Sequence, residues 1–281
     1  MYRTLVTAEQ VRQHQGNWCL LDCRFSLADT GYGARVYGEG HIPGAYYLDL
    51  DADLSSPIGP QDGRHPLPEP ARLNARLRRC GVAPGVQVVV YDDCGGAMAA
   101  RAWWLLRWLG HDTVAVLDGG YPAWLALGAS AERQCPNDQE SGWVAQPDNA
   151  AVVDVEAVAA NLKAPAFTLI DARSGERFRG EQEPIDPVAG HIPGSLNRPL
   201  TDNLDSGRFK GPEALRREWQ KLLGERRPEA VVHMCGSGVT ACHNLLAMEH
   251  AGLSGSRLFA GSWSQWIRDG RRPVATIEPD R

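Results

Sequence analysis

Ala230-Val231-Val232-His233-Met234-Cys235-Gly236-Ser237-Gly238-Val239-Thr240 is the stretch that decides the fold. Its apolar run reads as a short buried strand, and the helical pattern behind Thr240 reads as the helix that the strand feeds. Cys235 then stands between a strand end and a helix N-terminus. There, backbone N–H groups converge and the helix dipole is positive, which favours thiolate over thiol. Gly236 and Gly238 let the backbone curl close around the sulfur. Gly236, Gly238, Val239 and Thr240 are expected to aim their N–H groups into an anion cradle, with Thr240 also capping the helix.

Outward from this loop, the chain repeats itself. Leu20-Leu21-Asp22-Cys23-Arg24 matches Leu169-Ile170-Asp171-Ala172-Arg173. Gly40-His41-Ile42-Pro43-Gly44-Ala45 matches Gly190-His191-Ile192-Pro193-Gly194-Ser195, and Leu117-Asp118-Gly119-Gly120-Tyr121-Pro122-Ala123-Trp124 resembles Phe259-Ala260-Gly261-Ser262-Trp263-Ser264-Gln265-Trp266. Two copies of one domain follow. The reading is a domain over 1–130, a polar linker over 131–150 and a second domain over 151–281. Expected strands at 18–23, 86–91, 113–117, 167–171, 230–234 and 257–259 alternate with helices at 98–109, 155–162 and 240–251, a capped helix start at Thr7, and a short helix ending before Gly128. That alternation implies an α/β fold, each copy a mainly parallel sheet flanked by helices. Ligands of open α/β sheets bind beyond the carboxyl ends of the strands, where Cys235 lies.

Composition narrows the function classes. The 281 residues are 43% hydrophobic and 22% charged, with a formal net charge of −5, which argues against a broad nucleic-acid footprint. No apolar run is long enough to span a membrane, and the first residues lack the apolar core of a signal peptide. Cys19, Cys23, Cys80, Cys94, Cys135, Cys235 and Cys242 form neither a dense framework nor a Cys-x-x-Cys pair. They read as free thiols in a reducing, cytoplasmic setting, with no metal site and no organic cofactor.

The paired Gly-His-Ile-Pro-Gly boxes and the six-residue cysteine loop together resemble the rhodanese family of sulfurtransferases in its tandem form, over nearly the whole chain. The resemblance implies an inactive N-terminal copy and a catalytic C-terminal copy, with Cys235 as nucleophile. Within the family, the loop from Cys235 to Thr240 resembles that of the 3-mercaptopyruvate sulfurtransferases. Thiosulfate-preferring relatives usually carry a cation inside the loop, and this loop has none. The implied chemistry moves a sulfane sulfur through a cysteine persulfide to a thiol or cyanide acceptor, with thiosulfate as the alternative donor. The resemblance also implies a relay of Ser237 with His65 and Asp51, Asp49 being the rival of Asp51. It assigns Arg177 to the donor's anionic group, since a planar guanidinium binds a carboxylate with two parallel bonds. A second arginine is expected about nine residues later. Asp186 stands there, and Arg179 is the candidate substitute.

The other singled-out residues read as structural. His41 and His191 recur in both copies and are expected to fix turns, Asp22 and Asp171 to close strands. Trp263 and Trp266 read as core or pocket wall, and Cys242 and His243 as packed or outward-facing on the helix. Aligning 89–93 on 231–235 sets Asp93 opposite Cys235 and leaves Cys94 one residue late and unreactive. The dual-specificity phosphatases resemble this fold but need an arginine six residues past the cysteine, where Ala241 stands. A non-catalytic binding module is disfavoured because such modules usually lose the cysteine. A monomer with its site between the two copies, acting on small molecules, is the expected assembly.

Overall fold

Short, largely apolar runs make the central strands of the five-stranded and the four-stranded sheet, and every strand pair within these two sheets is parallel. The computed structural model describes residues 1–277. The chain is α/β and divides into two compact units. The first takes in Met1–Ser56, Leu67–Asp148 and Ser206–Phe209; the second takes in Pro57–Pro66, Asn149–Asp205 and the chain from Lys210.

In the first unit the five-stranded sheet runs Leu5–Val6, Val114–Leu117, Val88–Tyr91, Cys19–Asp22, Ala45–Tyr47. The central strands are buried on both faces, as a parallel sheet covered by helices requires. The helix Ala99–Trp108 is buried almost all round, so its sequence shows little amphipathic stripe. The capped start at Thr7 is a full capping box, Thr7 and Gln10 bonding to each other's backbone N–H. Residues 131–148 pack on this unit, with Trp143 buried and set edge-on against His111.

The second unit repeats the plan with four strands: Arg257–Leu258, Val231–Met234, Thr168–Asp171, Leu196–Asn197. A single bridge from Val152 to Leu258 stands where the first unit has its edge strand. The helix Ala241–His250, like its counterpart, is buried nearly all round, with Cys242 and His243 both in the interior. Trp263 and Trp266 are fully buried in the core. Helices Tyr32–Glu39, Pro70–Arg79 and Pro212–Leu223 lie outside the sequence reading.

The repeated motifs have one structural reason. Asp171 ends its strand and holds Arg173 at 2.7 Å, both side chains buried, and Arg173 Nη2 donates at 2.7 Å to the carbonyl of Gly190. That carbonyl opens the Gly-His-Ile-Pro-Gly box, where His191 bonds the Phe178 carbonyl at 2.7 Å and stacks on its ring. Asp22, Arg24, Gly40 and His41 repeat the arrangement, with Tyr37 beneath the imidazole. The box is thus pinned to the strand end by a buried ion pair. Removing one member of such a pair leaves the other charge uncompensated, at a cost of about 3–5 kcal/mol. Asp171→Asn should lower the urea midpoint accordingly, and adding Arg173→Met should restore part of the loss. A single variant as stable as the parent would contradict this role.

Candidate active site

The strand Val231–Met234 delivers Cys235 into a turn that closes over its own sulfur. Cys235 is 1% exposed, and the Gly238 N–H donates to its Sγ at 3.1 Å. Gly238 has φ +78°, and a Cβ there would sit 2.2 Å from the Ala260 carbonyl oxygen, so the turn requires glycine. The cysteine backbone is held from the facing turn. Its N–H donates to Ser262 Oγ at 3.0 Å, its carbonyl accepts from Trp263 N–H at 3.0 Å, and the Gly236 carbonyl accepts from Ser264 N–H at 2.9 Å. Ser262 is a non-glycine residue at φ 53°, and its hydroxyl donates onward to the Phe259 carbonyl. Such a backbone costs on the order of 1–3 kcal/mol and persists where the surroundings over-determine it. Thr240 departs from expectation. Its backbone is already helical and its hydroxyl makes no capping bond, because the turn bends into the helix without the extended residue that side-chain capping needs.

The first unit shows what this cradle does with an anion. Asp22 pairs with Tyr91 and Asp171 pairs with Met234, so Asp92, not Asp93, corresponds to Cys235. The Tyr121 N–H donates to the Asp92 carbonyl as Trp263 does to that of Cys235. The sequence alignment slipped by one because a valine run looks the same in either register. The Asp92 carboxylate accepts from the N–H groups of Cys94, Gly96, Met98 and Ala99 at 2.8–3.0 Å. By the same register these are Ser237, Val239, Ala241 and Cys242 in the second unit. The first unit's loop therefore grips its own carboxylate. Cys94 falls opposite Ser237 and is exposed, and the neighbouring Asp92 and Asp93 charges push its thiol pKa up.

The second unit includes a segment from far back in sequence, Pro57–Pro66. It is fixed by Arg64 N–H to Ser264 Oγ at 3.0 Å, by Gln265 to the Gln61 carbonyl and by Arg268 to the Asp62 carbonyl, both at 3.1 Å. A Cβ on Gly63 would lie 2.5 Å from the Gly261 carbonyl oxygen, so the two backbones touch. This anchoring brings buried His65 Nδ1 to 2.7 Å from Ser237 Oγ. The bond runs in either direction according to which ring nitrogen carries the proton. Asp51 belongs to the first unit. Its rival Asp49 is committed to its own turn, accepting from the N–H groups of Asp51 and Ala52 and from the Tyr47 hydroxyl.

Arg177 reaches the cysteine loop, and Arg179 does not. Arg177 Nε and Nη2 bind Glu183 at 2.6–3.0 Å, and Nη2 lies 3.4 Å from Asp186. Its Nη1 and Nη2 are 3.8 and 3.5 Å from the point where a Gly236 side chain would begin. Arg179 is drawn to the outer surface by Glu181 at 2.7 Å. Asp186 is not vacant ground: it is buried and forms a close ion pair with Arg64, whose Nη2 lies 2.9 Å from the same Gly236 point. Burial works against charge on Glu183, but the Arg177 hydrogen bonds outweigh it and hold its pKa below the ordinary value. Burial pushes Asp186 the other way, and Arg64 offsets this only in part. Arg64 and Ser262 are the residues the sequence reading missed. Ser262 could have been found as the non-glycine counterpart of Gly120, which has φ +59°.

The rhodanese-like domain family matches residues 7–127 and 154–269. A Pseudomonas aeruginosa protein named "probable 3-mercaptopyruvate sulfurtransferase" is 52% identical over 277 residues, covering 97% of this chain and 98% of that protein. The thiosulfate sulfurtransferase of Mus musculus is 34% identical, covering 98% of this chain and 95% of that one. Among solved structures, a 3-mercaptopyruvate sulfotransferase from Escherichia coli superposes with a TM-score of 0.80 at 30% identity, covering 94% of this chain and all of that one.

Glu183 binds both Arg173 and Arg177, so Glu183→Gln should destabilise the protein at neutral pH by about 3 kcal/mol or more. The folded pKa is depressed, so the contribution is present above the unfolded value and lost as pH falls through the folded one. Urea midpoints of parent and variant should therefore differ at pH 7 and converge only in acid below the ordinary carboxylate pKa. A gap that widened in acid would contradict the assignment.

Proposed function

This chain belongs to the rhodanese-like family of sulfurtransferases, and on that premise we propose that it moves a sulfane sulfur from 3-mercaptopyruvate through a Cys235 persulfide to a thiol or cyanide acceptor. The Cys235 thiolate attacks the donor's sulfur. The sulfur–carbon bond breaks, its electron pair passes into the adjacent carbonyl, and the enolate of pyruvate forms. The enolate takes a proton and pyruvate leaves, with the donor sulfur now the outer atom of the persulfide. The acceptor attacks that outer sulfur and returns Cys235 as thiolate, a ping-pong cycle. The N–H groups around the loop suit the anions that appear at the sulfur.

The observation that carries the choice of donor is the 2.7 Å contact between His65 and Ser237, two residues past the nucleophile. An enolate leaving group needs a proton or a donor at its oxygen, and a hydroxyl backed by imidazole supplies one. Sulfite, the leaving group from thiosulfate, departs as a stable anion and needs none. The absence of a cation among Gly236, Ser237, Gly238, Val239 and Thr240 agrees with a donor of lower charge. Arg177 is the clamp for the donor's carboxylate, and Asp51 is carried as the third relay member on family resemblance. The seven unpaired cysteines suit a reducing, cytoplasmic setting.

Side-by-side kinetics with both donors test this reading. Ser237→Ala and His65→Ala should lower kcat/KM for 3-mercaptopyruvate by roughly 10²–10⁴-fold and that for thiosulfate much less. Asp51→Asn should follow the same pattern. Arg177→Ala should weaken both donors by roughly tenfold to a hundredfold, the worth of a charge-assisted contact. A wild-type protein turning over thiosulfate much faster than 3-mercaptopyruvate would overturn the choice of donor and install the thiosulfate reading.

A further inference from the structure

The position where family resemblance expects a second donor-binding arginine holds Asp186, a carboxylate that on its own would repel an anionic donor. Asp186 does not stand on its own. One of its oxygens pairs with Arg64 Nη1, and the other lies 3.4 Å from Arg177 Nη2. Arg64 comes from the distant segment Pro57–Pro66, one residue before His65. We propose that Arg64 is the second guanidinium of the donor pocket: with Arg177 it holds the donor's anionic group beside Cys235, and Asp186 is the anchor that aims both.

Three observations carry this. The first is position. Arg64 Nη2 and Arg177 Nη2 lie 2.9 and 3.5 Å from the point where a side chain on Gly236 would start, and Gly236 is the residue bonded to Cys235. A glycine there is what allows two guanidiniums to come down onto the loop. The second is the supply of donor groups. Glu183 takes the Nε–Nη2 edge of Arg177, and Asp186 takes Nη1 of Arg64. The nitrogens that these two carboxylates leave over near the loop are Arg177 Nη1 and Arg64 Nη2, 3.8 and 2.9 Å from the same Gly236 point. The third is rigidity. The Arg64 backbone N–H is bonded to Ser264 Oγ at 3.0 Å, and Ser264 N–H is bonded in turn to the Gly236 carbonyl at 2.9 Å. The same short chain of bonds that fixes the cysteine loop therefore fixes the backbone of Arg64. The Arg64 side chain is 24% exposed, within reach of an entering solute, while Asp186 is 3% exposed beneath it. A carboxylate stands where the resemblance expects an arginine, and a guanidinium reaches the same place from a different stretch of chain.

The inference rests on the sulfurtransferase reading for the identity of the donor, but its first test does not. Alkylation of Cys235 is timed with iodoacetate and with iodoacetamide, an anion and its neutral counterpart. In the wild-type protein Arg64 should favour the anion. Arg64→Ala should lower the iodoacetate-to-iodoacetamide rate ratio by about tenfold or more, since it removes a cation near the loop and leaves Asp186 without its nearest cation. Taking the ratio to the neutral reagent cancels any change in thiol ionisation or in the fold, which both reagents report alike. Arg64→Lys, which keeps the charge, should stay within a few-fold of wild type. The second test compares 3-mercaptopyruvate with mercaptoacetone, in which a methyl replaces the carboxylate. Arg64→Ala should lower kcat/KM for the first by roughly tenfold to a hundredfold and for the second much less. A ratio unmoved by Arg64→Ala, or equal losses with the charged and the neutral donor, would overturn the proposal. A wild-type protein inert toward 3-mercaptopyruvate would instead overturn the donor reading, and the alkylation ratio would still decide the part of Arg64.

Discussion

A buried sulfur that accepts a backbone N–H from its own turn is the constraint on which the rest of this structure depends. The turn needs Gly238 in a left-handed conformation hard against Ala260, and it needs Cys235 tied by both its N–H and its carbonyl to the turn from Gly261 to Ser264. That second tie is bought with a strained Ser262. The repeated Asp-x-Arg and Gly-His-Ile-Pro-Gly motifs serve the same end at one remove, pinning neighbouring strand ends so that both turns keep their positions. The first unit demonstrates the property of the turn by filling it. With a carboxylate at the equivalent position, four N–H groups close on Asp92. The same cradle thus has one version sealed by its own carboxylate and one built around the Cys235 sulfur.

Electrostatics near the open version is arranged by exchange rather than by excess. Arg173 and Arg177 share Glu183, and Arg64 and Arg177 share Asp186, so cations and carboxylates alternate without a surplus of bare charge. An anion arriving there gains oriented N–H groups whose positions are already set, the condition under which such contacts act most strongly. The segment from residue 57 to residue 66 supplies both a cation and an imidazole to this arrangement. Its anchoring to the turn at Ser264 and Gln265 is therefore part of the site and not a decoration of the loop.

Much of the fold was legible because its signals are local. Apolar runs, a Thr7–Gln10 capping pair and repeated boxes gave strands and helices whose ends agree with the structure to within a residue or two. Cys235 was legible because strand, glycine turn and helix follow one another in sequence. What failed needed information that sequence spacing does not hold. The register that sets Asp92, not Asp93, opposite Cys235 is fixed by hydrogen bonds to the strand Cys19–Asp22, whereas a valine run reads the same when shifted by one. Arg64 carries no periodic or capping signal, and only the fold brings it to Gly236 and Asp186. Arg179, the candidate substitute for the second arginine, is held on the surface by Glu181.

The most direct measurement of the account is the mass of the tryptic peptide containing Cys235 after the protein is treated with 3-mercaptopyruvate and no acceptor. The account predicts a single added sulfur on Cys235, removed by cyanide as thiocyanate, with Cys94 and the other thiols unchanged. An unmodified Cys235, or added sulfur found on Cys94 instead, would contradict it.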